Sequence, residues 1–123
     1  MGKKKILIID DEDNFCNLVK KNVEKTNEFE VYVATNGNDG IKLIKVVKPD
    51  LILLDIMMPG LDGGDVVSLI RSDSSIKDIP IVFLTSLVRK NEAGAGFTKG
   101  YSLLAKTVTV GELIACIKKN VRG

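Results

Sequence analysis

Short apolar runs recur along the chain at Ile6–Ile9, Val31–Val33, Leu51–Leu54, Ile79–Leu84 and Leu103–Ala105. They are nearly continuous rather than alternating, the pattern of strands covered on both faces. The strands they predict are Ile6–Ile9, Phe29–Ala34, Leu51–Leu54, Ile79–Leu84 and Tyr101–Ala105. Helical spacing fills most of the gaps. Phe15, Leu18, Val19 and Val23 share one helix face, and Ile41, Ile44 and Val47 another, with Pro49 as a stop. Val66, Val67, Leu69 and Ile70 predict a further helix. Thr109 and Glu112 form a capping-box pattern that opens a last one through Leu113, Ile114, Ile117 and Val121. Asn36–Gly40 (NGNDG) reads as a turn. Asn91–Gly100 carries three glycines, each costing up to about 1 kcal/mol in a helix, so only a short helix is expected there.

Strand alternating with helix implies a doubly wound α/β fold, a five-stranded parallel sheet with right-handed crossovers and helices on both faces. Such sheets bind ligands beyond the carboxyl ends of their strands. Asp10 and Asp11 follow the first strand, Asp55 the third, Thr85 the fourth and Lys106 the fifth. Close carboxylates repel one another, and a hard divalent ion such as Mg²⁺ relieves that repulsion through oxygen ligands. Lys106 adds a positive charge and Thr85 a hydroxyl, so the set suits a small dianion lying on a metal. A carboxylate also serves as a nucleophile for phosphoryl groups.

Composition narrows the chemistry. The 123 residues suit one domain spanning 1–123, and 45 % hydrophobic content supplies a core. A net charge of +2, with no basic stripe interleaved with aromatics, argues against nucleic acid. Lys3–Lys5 reads as a solvated start to the first strand. No apolar run reaches the length of a membrane span, and no signal peptide is visible. Cys16 and Cys116 lack metal-site spacing and read as reduced thiols of a cytoplasmic protein. The absence of histidine removes Ser–His and Cys–His nucleophile pairs.

Each candidate has an ordinary structural explanation. Acids after a strand favour a helix N-terminus, Asp55 could make an Asx turn, Thr85 could be structural, Lys106 solvated, and Met57 and Met58 part of the core. Five such residues at the carboxyl ends of four strands are harder to explain one by one. In order, "ILIIDDED" (Ile6–Asp13), "ATNGNDG" (Ala34–Gly40), "PDLILLDIMMPGLDG" (Pro49–Gly63), "IPIVFLTS" (Ile79–Ser86) and "AKTVTVGEL" (Ala105–Leu113) resemble the receiver domain of two-component response regulators over nearly the full chain.

The resemblance implies a flavodoxin-like (βα)5 fold with strand order 2-1-3-4-5, and a signalling domain that catalyses only its own phosphorylation and dephosphorylation. Asp55 matches the phosphoacceptor. Asp11 matches a direct Mg²⁺ ligand, Asp10 an acid acting mainly through metal-bound water, and the Met57 backbone carbonyl the third protein ligand. Thr85 and Lys106 match the groups that contact the phosphoryl oxygens, and Pro59 and Gly63 match the loop that turns the chain clear of Asp55. The implied donor is a phosphohistidine on a sensor histidine kinase or histidine phosphotransfer protein. An output domain, a downstream protein and a homodimer are the further partners of such domains; nucleic acid and membrane are not expected.

Departures from the family pattern cluster near the fifth strand. Thr107 follows Lys106 where proline, often after a cis bond, is usual. Leu103 stands in place of the switch aromatic that accompanies Thr85, and Tyr101 lies two residues before it, on the same face of a strand. The stretch from Thr85 to Lys106 is about a residue short. Competing readings are a receiver-like interaction module without a phosphorylation switch and an aspartyl phosphatase. The phosphatase would need an acid where Met57 stands. Neither GxGxxG nor a Walker motif supports nucleotide binding.

Overall fold

The apolar runs become five parallel strands, β1 (Lys4–Ile9), β2 (Phe29–Ala34), β3 (Leu51–Asp55), β4 (Ile81–Thr85) and β5 (Ser102–Ala105), in the order β2-β1-β3-β4-β5. The computed structural model describes residues 2–86 and 101–122. Among these, four helices accompany the strands: α1 (Asp13–Glu24), α2 (Gly37–Val47), α3 (Gly63–Arg71) and α4 (Val110–Asn120). The short helix expected over Asn91–Gly100 lies outside the described residues.

Side-chain alternation divides each central strand between two cores. Ile6, Ile8, Leu51, Leu53, Val82, Leu84 and Leu104 pack with Cys16, Val19 and Val23 of α1 and Leu113 and Ile117 of α4. Leu7, Ile9, Ile52, Leu54, Ile81 and Phe83 pack with Ile44 of α2 and Val66 and Ile70 of α3. Each fully buried aliphatic side chain contributes about 1.5–3 kcal/mol, so the central strands form a rigid platform. At the β2 edge, Glu24 Oε2 accepts from the Val31 N–H at 3.0 Å and Lys20 Nζ donates to the Val31 carbonyl at 2.8 Å. This i,i+4 pair of α1 thereby occupies backbone groups that would otherwise invite another strand.

Several local expectations change. Asn36–Gly40 is not a free turn: Asn36 caps α2, its side chain accepting from the Asp39 N–H, and Gly37–Gly40 form the first helical turn. The glycines serve close packing. A Cβ at Gly40 would lie 2.6 Å from Ile9 Cδ1, and one at Gly37 2.6 Å from Leu61 Cβ. β4 begins at Ile81 rather than Ile79, because Pro80 has no N–H and joins the ladder only through its carbonyl, which accepts from Ile52 N at 2.9 Å. β5 begins at Ser102, with Tyr101 just outside it. Met58 is buried, but Met57 is 79 % exposed, because the loop after β3 turns one side chain out to solvent and the next back onto the α2–α3 core. The capping box at Thr109 and Glu112 forms as expected, and Asp62 and Asp65 build a second on α3.

Candidate functional site

The carboxyl ends of β1, β3, β4 and β5 meet at one edge of the sheet. Pairing of Ile9 with Leu54 sets Asp10 beside Asp55, and the Lys106 N–H donates to the Thr85 carbonyl at 2.8 Å. Register thus brings residues 10, 55, 85 and 106 together by way of backbone bonds alone. Thr85 is half-buried at the end of β4, opposite Ala105. The Lys106–Thr107 bond is trans.

One carboxylate oxygen from each of Asp10, Asp11 and Asp55 lies within 4.8 Å of the others. Asp10 and Asp55 are buried, whereas Asp11 faces solvent. Asp10 Oδ1 accepts from the Glu12 N–H at 2.9 Å. Among the described residues, Asp10 Oδ2 is the buried side-chain oxygen without a hydrogen-bond partner. A buried carboxylate oxygen inside an all-oxygen donor set fits a hard divalent cation. Met57 follows two residues after Asp55, and its N–H donates to Asp55 Oδ1 at 3.4 Å.

Lys106 supplies the positive charge. Its side chain is 8 % exposed, with Nζ 2.8 Å from Asp10 Oδ2 and 3.4 Å from Asp55 Oδ2. The first contact is a close, buried ion pair, and the second is a longer hydrogen bond. Nζ also hydrogen-bonds Glu12 Oε1 and lies 5.3 Å from the centre of the Phe15 ring. Burial alone would lower the lysine pKa, but Asp10, Glu12 and Asp55 override it and hold the ammonium charged well above its usual range.

Burial, and then the Asp10 charge, push the Asp55 carboxyl up to about 7, against the pull of Lys106. Repulsion between carboxylates, the cause anticipated from sequence, therefore ranks second to desolvation. Burial and the charges of Asp10 and Asp13 raise the Cys16 thiol to about 12. Its Sγ donates to the Asp10 carbonyl at 3.3 Å. Cys16 and Cys116 are both free, as expected.

Gly63 determines how closely the following helix approaches the site. Its N–H donates to the Ile56 carbonyl at 3.1 Å, and a Cβ there would fall 2.8 Å from the Asp55 carbonyl oxygen. Leu103 and Tyr101 pack on the α2–α3 side of the sheet. Tyr101 meets Phe83 edge-on at 5.3 Å, and its hydroxyl accepts from Arg71 Nε at 2.9 Å. Sequence reasoning missed Glu12 and Phe15 as neighbours of Lys106 and Arg71 as a partner of Tyr101. The acidic run from Asp10 to Asp13 was visible, but which of its members turns toward the fifth strand depends on the fold.

Comparison with known proteins agrees with this geometry. Residues 6–118 match the family model of the response regulator receiver domain. The BeF3-activated N-terminal receiver domain of Klebsiella pneumoniae RstA is 30 % identical, with 98 % of this chain and 100 % of that one covered and a TM-score of 0.84. A putative response regulator from Chloroflexus aurantiacus is 28 % identical over 96 % of this chain and 97 % of that one, with a TM-score of 0.83. The Vibrio cholerae chemotaxis protein CheY4 shares the fold at 24 % identity, covering 96 % and 98 % of the two chains, with a TM-score of 0.84. A five-stranded 2-1-3-4-5 sheet with an acidic cluster and a lysine at its carboxyl edge, matched by the family model over residues 6–118, places the chain in the response regulator receiver domain family of two-component signal transduction.

Proposed function

We propose that this receiver domain accepts a phosphoryl group on Asp55 from a phosphohistidine, and that the modified state alters partner binding. The observation that carries this reading is the placement of Asp55 at the end of a buried strand, 3.4 Å from Lys106 and within a cluster of three carboxylates. An Asp55 oxygen forms the new O–P bond as the P–N bond to the donor breaks, and the departing electron pair remains on the imidazole nitrogen. Lys106 compensates negative charge gathering on the phosphoryl oxygens, and Thr85 offers a hydroxyl from the neighbouring strand end.

Asp10, Asp11 and Asp55, with the Met57 backbone carbonyl, would hold Mg²⁺. The ion would supply charge neutralisation for the carboxylates and the phosphoryl group. Without such a cation, Asp55 is partly protonated near pH 7, and a protonated carboxyl is a poor nucleophile. In this reading the domain works in the cytoplasm, and its donor is a sensor histidine kinase or histidine phosphotransfer protein. Among the described residues, no helix is long and apolar enough to cross a membrane.

Incubation with acetyl phosphate and Mg²⁺ tests the assignment by intact mass. Wild type should gain one phosphoryl group and Asp55→Asn none. Equal labelling of both would overturn the choice of Asp55. No labelling of either, by acetyl phosphate or a histidine-linked donor, would favour an interaction module that does not use phosphorylation.

A further inference from the structure

Glu12 occupies the N-cap position of α1, yet its side chain makes no capping hydrogen bond. An N-cap side chain ordinarily turns back to a free helix N–H. The Glu12 backbone is held by Asp10 Oδ1, and its carboxylate reaches Lys106 instead. Lys106 Nζ therefore has three carboxylate neighbours. Glu12, with a side chain 59 % exposed, receives one hydrogen bond, and Asp55 receives another. Asp10 Oδ2 is fully buried and 2.8 Å away. An ammonium has three donors, so these three carboxylates take up its full complement. Of the three only Glu12 is solvent-facing, so its contact is the one an incoming phosphoryl oxygen displaces at least cost.

We propose that Glu12 is a positioning residue that holds the Lys106 ammonium toward the mouth of the site in the resting protein and releases it when a phosphoryl oxygen arrives at Asp55. Release is easy because the pair is partly exposed, and exposed pairs are weak. Glu12 then competes with the phosphoryl group for Lys106. Its removal leaves one donor of the ammonium free for the phosphoryl oxygens and favours the phosphoryl-loaded state. This proposal rests on Asp55 as phosphoacceptor.

Three variants separate contact from charge. Glu12→Gln removes the charge and Glu12→Asp shortens the reach. Asp13→Asn removes an equal charge from a neighbour that lies outside ion-pair distance of Lys106. The first readout is the Lys106 Nζ nitrogen resonance of the metal-free protein, which involves no phosphoryl donor. It should move in both Glu12 variants and stay in place in Asp13→Asn. The second readout is beryllofluoride affinity with saturating Mg²⁺, expected to tighten about two- to five-fold in the Glu12 variants, the range of a weak exposed ion pair. A Lys106 resonance unmoved by Glu12→Gln would overturn the proposal. So would equal effects from Glu12→Gln and Asp13→Asn on both readouts, or Glu12→Asp behaving as wild type. Failure of the phosphoacceptor reading is distinct, because it appears as labelling of Asp55→Asn while the resonance result stands.

Discussion

Arg71 Nε donates to the Tyr101 hydroxyl at 2.9 Å, tying the last turn of α3 to the residue just before β5. The guanidinium carbon also lies 5.4 Å from the centre of the Tyr101 ring. Arg71 Nη1 donates to the Lys77 and Ile79 carbonyls, so the clamp is itself anchored. Tyr101 would have to break this hydrogen bond and leave Phe83 before serving as a moving switch group.

Tyr101→Phe should therefore lower stability by about 1 kcal/mol, the usual cost of one hydrogen bond. Tyr101→Ala should cost about 3 kcal/mol or more, since it also empties the ring's place beside Phe83. Urea unfolding measures both. Acetyl phosphate labelling of Asp55 should persist in Tyr101→Phe, because the ring lies on the α2–α3 core rather than among the carboxylates.

Stability of the metal-free protein should depend on pH through Asp55. Burial and the Asp10 charge push its carboxyl up to about 7 from the ordinary 3.8, so the folded state binds this proton more tightly than the unfolded chain. The contribution is fully present below about pH 4 and is lost as pH rises through 7. Asp55→Asn should remove most of that decline and be the more stable protein at pH 8. Denaturation in EDTA at pH 5 and pH 8 checks the sign; a wild type that gains stability over this interval, relative to Asp55→Asn, would contradict it.

Gly63→Ala should destabilise the protein by about 1–3 kcal/mol, because the added methyl meets backbone rather than a movable side chain. The same methyl presses on the carbonyl of Asp55, so Mg²⁺ affinity should fall with stability. Calorimetric titration at a temperature where the variant is fully folded separates the two effects.

Cys16 should resist iodoacetamide at pH 8. Its thiol is buried, with a pKa raised to about 12, and only the thiolate reacts. Alkylation should become rapid once urea unfolds the chain. Peptide mass mapping on either side of the unfolding midpoint gives the comparison, and rapid native labelling at Cys16 would show that α1 opens locally.

The order of strands and helices was legible in the chain because burial on two faces demands runs such as Leu51–Leu54, and amphipathic faces repeat with the helical period. Asp10, Asp55, Thr85 and Lys106 could be placed at one edge for the same reason: parallel strands put their carboxyl ends together. Local chemistry also specified the caps at Thr109 and Glu112. What adjacent residues could not specify was how distant elements share atoms. The glycines at 37 and 40 suggested a turn until Leu61 and Ile9 were seen to require the space. Met57 and Met58 are alike in composition and opposite in burial, because only the path of the loop decides which side chain enters the core. Glu12 is one acid in a run of four, and its partner lies 94 residues away. Only the tertiary structure could decide that its carboxylate, and not that of Asp13, meets Lys106, since strand register and the start of α1 together set the distance over which the two charges attract.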